Sequence, residues 1–423
     1  MRRNEFLKAV AGIGAVALAG KTAVQAARSG SPWPALAPED ERFWEFIRGQ
    51  FPLTRERAYF NTGGLGASPY VVIDAVKSKI DELEKICETG HDEGFLKSIK
   101  ESAAALLGCD WDELAFVRNT TEGINIIAHG FPLQKGDEVI LTTEEHVGNA
   151  FTWLVLQKRV GIVLKFFSPS TASKQETLDR LAKVITRKTR LISIPHAMTT
   201  TGMIMPVREI SQMARAKKIW FFVDGAQTAG MFPFSLHDLG CDAYATSGHK
   251  WLMGPKETGL FYVRRDMLDV IQTKFVGAHT TAQFDVPAGT YTFLPSAGRY
   301  EYGTVSIPLR AGLGAAIEFV QKIGIETMWR RDQQLSTRLF DGLTTIPEIR
   351  VLSPENPELR SAMVTFMHDR IPYMKLQEHL NTYQLRTRSV SEGGMAALRI
   401  STHIYNSPAE VDRVLEGVRS AKA

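Results

Sequence analysis

The runs FFVDGAQ at residues 221–227 and DAYATSGHKWLMGP at residues 242–255 decide the fold. Each opens as a short apolar stretch and ends on small and polar residues, the pattern of a buried strand of a parallel sheet running into a loop. In an open α/β sheet, ligand-binding groups sit at the carboxyl ends of such strands. Asp224 follows the run Ile219–Val223 directly, and Lys250 follows the next run. Outward from this pair, similar runs rich in Val, Ile and Phe fall at Glu138–Leu141, Ile162–Phe167, Leu191–Ile194 and Gly259–Val263. Amphipathic stretches such as Thr177–Thr186 and Val207–Lys217 lie between them and predict crossover helices around a largely parallel sheet. After about Thr304 the pattern changes to a long helical segment, Leu309–Val320, followed by mixed elements, which predicts a second, smaller α+β lobe.

The 423 residues suffice for two lobes, and 44% hydrophobic with 23% charged residues is the composition of a globular protein. Fifty basic against 46 acidic residues leave +4, too balanced to indicate nucleic acid as a partner. Cys87, Cys109 and Cys241 form no CxxC pair, the histidines form no HExxH, and no metal site is expected. Residues 1–26 read as an export signal: Arg2, Arg3 and Lys8, then the weakly apolar run AVAGIGAVALAG at 9–20, then the small-residue exit Val24-Gln25-Ala26. Twelve mildly apolar residues are too few for a stable membrane anchor. The adjacent arginines before Phe6-Leu7-Lys8 resemble a twin-arginine signal, with one residue more than usual between them, so a periplasmic or exported location is expected. Without this segment the net charge falls to about +1. GIGAVA at 12–17 follows no strand and is rejected as a nucleotide loop.

A lysine and a carboxylate delivered from neighbouring strand ends suit an enzyme that condenses an amine with an aldehyde cofactor while keeping an aromatic nitrogen protonated. Pyridoxal phosphate has that chemistry. Thr120 and Thr121 stand between the apolar Ala115–Val117 and the helical EGINIIAHG, where hydroxyls and free N–H groups can face an anion. Simple helix capping predicts the same local geometry.

Taken together, SGHKWLMGPKETGLFYV at 247–263, VDGAQ at 223–227, NTTEGIN at 119–125 and RISTHIYNSPAEVDR at 399–413 resemble the class V aminotransferase family of fold-type I pyridoxal phosphate enzymes. The resemblance runs from about Tyr59 to Arg413 and looks closer to the isopenicillin N epimerase-like branch than to the cysteine desulfurases. It implies an N-terminal segment over 27–59 packing on the small domain, a cofactor-binding large domain over 60–303 and a small domain over 304–423. It assigns Lys250 to the cofactor aldehyde and to proton transfer at Cα, and Asp224 to the ring nitrogen. Gln227 would meet the ring's 3-oxygen and His146 would stack on the ring. Thr199 stands where many relatives carry Asn. Thr120, Thr121, Ser247 and His249 would cradle the phosphate, completed by Gly303 and Thr304 of a partner subunit, so a homodimer with shared sites is implied. Arg399 would bind the α-carboxylate of an amino-acid substrate through its planar fork. Arg386 and Arg388 are candidates for a second contact or exposed loop charges, and Asn61 and Gly63 border the pocket.

One departure matters. Desulfurases take sulfur with a mobile cysteine, and in one branch it stands five residues after an arginine placed like Arg386; here that position is Ser391. A serine cannot form a persulfide, so a cysteine desulfurase is disfavoured, while a lyase releasing sulfur without a protein persulfide stays open. The resulting expectation is an aminotransferase, with an epimerase or β-lyase as alternatives sharing the first proton removal. An inactive binding protein of the same fold is the alternative from another class, and it is disfavoured because Lys250 and Asp224 are both retained.

Overall fold

The computed structural model describes residues 33–422. The export signal expected over 1–26 lies outside the described residues. Strand β1 (Ala58–Tyr59) precedes a central seven-stranded sheet built from β2 (Leu114–Val117), β3 (Glu138–Thr142), β4 (Val163–Phe167), β5 (Thr189–Pro195), β6 (Trp220–Asp224), β7 (Ala243–Ser247) and β8 (Gly259–Val263), in the order β2-β8-β7-β6-β5-β3-β4. Strands β3 to β7 pair in parallel. β8 is the exception within the largely parallel sheet: it runs antiparallel to both β7 and β2. The physical reason is the connection. Residues 248–258 hold the Lys250 turn and no helix, too little chain for a parallel crossover.

Both faces of this sheet are covered, and side-chain alternation sorts its residues between two cores. Phe116, Ile140, Phe221 and Val223 enter one apolar cluster. Their neighbours Ala115, Val117, Val139, Leu141 and Phe222 enter the other. That is why these strands read as continuous apolar runs.

After the hairpin β9 (Thr281–Asp285) and β10 (Thr290–Phe293), the chain forms helix Ile307–Ile323 and helix Ile325–Thr344. A four-stranded antiparallel sheet follows, built from β11 (Ile349–Val351), β12 (Met363–His368), β14 (Arg388–Val390) and β15 (Ala397–Ser401), in the order β11-β12-β15-β14. Between β12 and β14, β13 (Leu385–Arg386) pairs in parallel with β1. The core of this smaller lobe includes Leu335, Leu339, Phe366, Leu398 and Val414, joined by Ala58 and Phe60.

One placement differs from the division read in the sequence. Helix Ile307–Ile323 packs against helices Tyr70–Glu84 and Glu93–Leu107, and its Leu313, Ile317 and Val320 share the large-lobe cluster with Phe116 and Ile140. The N-terminal helix Glu41–Gly49 buries Phe43, Trp44 and Ile47 in that same cluster, while Glu41–Arg331 and Arg48–Glu410 ion pairs tie it to the small-lobe side. Segments of the two lobes are therefore interleaved.

The lobes are pinned near Lys250 by a fully buried pair. His403 Nδ1 lies 3.0 Å from Asp332 Oδ2, and His403 Nε2 lies 3.1 Å from the carbonyl of Trp251, to which it donates. With both ring nitrogens engaged by acceptors, a proton is held between His403 and Asp332. Removing one partner of a buried pair leaves the other uncompensated. Asp332→Ala is expected to cost about 3–5 kcal/mol in chemical denaturation; a loss under about 1 kcal/mol would show the pair to be dispensable.

Candidate active site

The parallel strands deliver their carboxyl ends to one edge, and the candidate residues gather there. Asp224 ends β6, buried, with Oδ1 accepting from Ala226 N at 2.9 Å. Lys250 lies three residues beyond β7, in a turn closed by Gly248 N donating to Thr258 O and Met253 N donating to Lys250 O. The two groups act on each other. Burial pushes the Lys250 ammonium down to about 8, opposed by Asp224 and reinforced by Arg399 and Arg388. Burial also raises the Asp224 carboxyl, opposed by the Ala226 N–H, Lys250 and His146.

The turn is held from three sides. Trp251 is fully buried and its Nε1 donates to Gln227 Oε1 at 2.8 Å. His403 holds the Trp251 carbonyl. The loop over 61–67 lies directly on the lysine: Gly66 N donates to His249 O at 2.8 Å, and a Cβ at Gly66 would stand 1.8 Å from Lys250 O. Only glycine permits that approach.

An anion cradle forms where helix Thr120–Gly130 begins. Asn119 caps it by accepting from Glu122 N, and Thr120 Oγ1 lies 2.8 Å from Ser247 Oγ, joining the β2 and β7 ends. Thr121 approaches the start of the next helix, since a Cβ at Gly148 would meet its hydroxyl at 2.9 Å. His249 Nδ1 is buried with no partner. A buried orphan nitrogen beside paired hydroxyls and a helix N-terminus fits a phosphate. His146 caps helix Val147–Val160, its Nδ1 accepting from Gly148 N at 3.1 Å, and lies within electrostatic reach of Lys250 and Asp224.

On the substrate side, Arg399 is fully buried, with Nη1 donating to Thr199 O at 2.8 Å and Oγ1 at 2.7 Å, and Nη2 to Asn61 Oδ1 at 3.4 Å. Its Nε has no partner, and among the described residues no carboxylate pairs with it. Gln227 Nε2 donates to Gly63 O at 2.9 Å and is 3.4 Å from Thr199 Oγ1, so Gln227, Thr199, Gly63, Asn61 and Arg399 form one connected wall. Gly63 is also confined, though by side chains and less tightly than Gly66: a Cβ there would lie 2.7 Å from Arg399 Nη2.

Three expected residues stand apart from this wall. Arg386 is exposed at β13, with Nη1 donating to Thr387 O. Gly303 and Thr304 line a cavity of about 240 Å³ with Arg118, Glu122 and Thr258 on the outer side of the cradle; Thr304 is exposed, and nothing lies within 4 Å of a Cβ at Gly303. Conversely, the sequence reading passed over Glu392, which ion-pairs with Arg388, and His403, which together with Trp251 holds the turn. Only the four-residue spacing of Arg388 and Glu392 was available as a signal. It also missed that Asp110, Glu113 and His237 converge; Glu113 accepts from Asp110 N, Arg265 N and His237, which accounts for the grouping as a hydrogen-bonded network.

The family model for class V aminotransferases matches residues 88–414. A probable cysteine desulfurase of Pyrococcus abyssi is 28% identical over 396 residues, 88% of this chain and 96% of that protein. A cysteine desulfurase of Shigella sonnei is 31% identical over 320 residues, 73% of this chain and 77% of that protein. Among solved structures, a complex of a cystine C–S lyase with its product cysteine persulfide superposes with a TM-score of 0.81 at 27% identity, covering 88% of this chain and 99% of that one. A second form of that lyase, also with a TM-score of 0.81, carries glycine covalently linked to the pyridoxal phosphate cofactor. The fold is therefore that of the fold-type I enzymes, and pyridoxal phosphate is the cofactor. None of these relatives is an isopenicillin N epimerase, so they lend the narrower branch no support.

Three outcomes test this geometry. Free Lys250 amine rises through pH about 8, so cofactor uptake by the apoenzyme, followed by absorbance, is expected to rise with pH and level off about one unit higher. Asp224 is the group that favours the ammonium, so Asp224→Asn is expected to move that midpoint downward; an upward move contradicts the assigned coupling. Gly66→Ala is expected to lower cofactor occupancy at least ~10-fold by displacing the Lys250 carbonyl, at a cost of roughly 1–3 kcal/mol.

Proposed function

We propose that this chain, which belongs to the class V aminotransferase family, is a pyridoxal phosphate-dependent lyase that breaks the Cβ–S bond of a sulfur amino acid and releases the sulfur to solution. The observation that carries this reading is the absence of a thiol from the cleft among the described residues. Ser391 holds the position expected of a sulfur-accepting cysteine. Cys109 and Cys241 precede β2 and β7, at the edge of the sheet opposite Lys250, and burial pushes both thiols up. Cys87 is exposed beyond helix Tyr70–Glu84. The relatives named above are cysteine desulfurases and a cystine C–S lyase, which favours sulfur chemistry over the transamination expected from the motifs.

When bound, the cofactor supplies an electron sink that acidifies the Cα–H of the amino acid joined to it. Asp224 favours a protonated ring nitrogen, since an ionised carboxylate stabilises a neighbouring cation. Arg399, uncompensated and held by Thr199 and Asn61, takes the α-carboxylate. Lys250 takes the proton from Cα. The Cβ–S bond then breaks with its electron pair on sulfur, and after addition of water the carbon skeleton leaves as pyruvate and ammonia.

The chain works as a homodimer in this reading. Thr304 is exposed beside exposed apolar Phe275, Val276, Tyr302 and Val305, a surface suited to burial against a second copy that would receive Gly303 and Thr304 at its cradle.

The test is product identity. Holoenzyme given L-cysteine or L-cystine is expected to form pyruvate and ammonia in equal amounts, with sulfide or persulfide. Lys250→Ala is expected to lower the rate by at least ~10²-fold, and Ser391→Ala to change it by less than about threefold. Accumulation of alanine would indicate desulfuration, a sulfur-bearing keto acid transamination, and the mirror-image amino acid epimerisation; any of these overturns the lyase reading.

A further inference from the structure

Arg388 stands directly opposite Arg399 in the β14–β15 ladder. Facing residues of an antiparallel pair project from the same side of the sheet, so two guanidinium side chains share one face, an arrangement that repulsion disfavours unless anions lie between or beside them. One carboxylate answers them: Glu392 pairs with Arg388. Glu392 is itself shared, since its Oε2 also accepts from Ser391 N at 3.1 Å. Arg388 Nη1 and Arg399 Nε are both buried and both without partners. Buried donors are ordinarily satisfied, so each of these arginines retains capacity for an acceptor that the described residues do not supply.

Both arginines belong to the lysine's cleft, for each lowers the proton affinity of Lys250. The α-carboxylate assigned to Arg399 uses one of these two positive sites and leaves the other. Arg388 is oriented at that second position by Glu392, whose loop leans on the opposite wall: a Cβ at Gly393 would lie 3.1 Å from the Glu144 side chain. Glu144 is in turn fixed by Thr200, which donates to it at 2.9 Å.

We propose that Arg388 binds a second anionic group at the far end of the substrate's side chain, so that this enzyme selects amino acids with an acidic terminus over neutral ones. This rests on the reading above for the bond that breaks, but not for the binding. The anion has two chemical sources: a plain acid, such as a sulfinate, or the carboxylate of a zwitterionic end, as in a disulfide amino acid. Glu392 and Glu144 offer acceptors to an ammonium, so the second source would use both signs of charge at this wall.

The experiment titrates holoenzyme with S-methyl-L-cysteine, L-cysteine sulfinate and L-cystine, reading the cofactor absorbance for binding and pyruvate for reaction. The native enzyme is expected to bind sulfinate or cystine at least ~10-fold more tightly than the S-methyl compound. In Arg388→Gln the ratio of anionic to neutral affinity is expected to fall by about 10- to 100-fold, with Arg388→Lys recovering part of it. In Glu392→Gln, cystine weakened more than sulfinate assigns the zwitterionic source, and equal weakening assigns the plain acid. No anionic preference in the native enzyme, or a ratio unchanged in Arg388→Gln, overturns the proposal even where pyruvate forms. An Arg388-dependent preference without pyruvate from any ligand supports the clamp and overturns the lyase reading alone.

Discussion

Parallel strands cannot be joined by tight turns. Each of β3 to β6 must be followed by a return path across a face of the sheet, so every carboxyl end arrives at one edge and every amino end at the other. The site depends on that constraint. Residues from seven stretches of sequence, from Asn61 to Arg399, meet because four crossovers leave their strand ends side by side and the small lobe closes over them. The thiols Cys109 and Cys241 end at the opposite edge for the same reason.

Within the cleft, the controlling quantity is the cost of keeping charges away from water. Lys250, Arg388 and Arg399 bring three cationic groups to a small volume, against Asp224 and Glu392. Lys250 answers by shedding its proton readily, which is what an amine needs in order to act as a nucleophile and base. Arg399 does not release its proton so readily and instead relies on neutral acceptors at Thr199 and Asn61. A preorganised, under-compensated cation of this kind gains most when a carboxylate arrives, which converts buried electrostatic cost into binding.

Much of this was legible in the chain because it is local. Asp224 and Lys250 each follow a strand whose continuous apolar pattern marks burial on both faces, and NTTEGIN carries its cap and hydroxyls in one turn of helix. The orientation of β8 was not legible, because an apolar run has no direction; the short, helix-free link from β7 decides it. The placement of helix Ile307–Ile323 was misleading for a related reason. Its apolar residues announce a core, yet nothing in them says which of two cores they join.

The sequence by itself determined the α/β class, from strand periodicity, and, through its resemblance to a known family, the cofactor and the lysine and aspartate that meet it, both fixed to strand ends a few positions away. Tertiary structure alone decided which distant charges face one another. The pairing of Arg388 with Arg399 across β14 and β15, the Glu392 partner of Arg388, and the Asp332–His403 link to Trp251 depend on register and on the packing of one lobe against the other. A one-residue slip in that ladder would send Arg388 to the other face, and no local pattern of residues encodes which register is adopted.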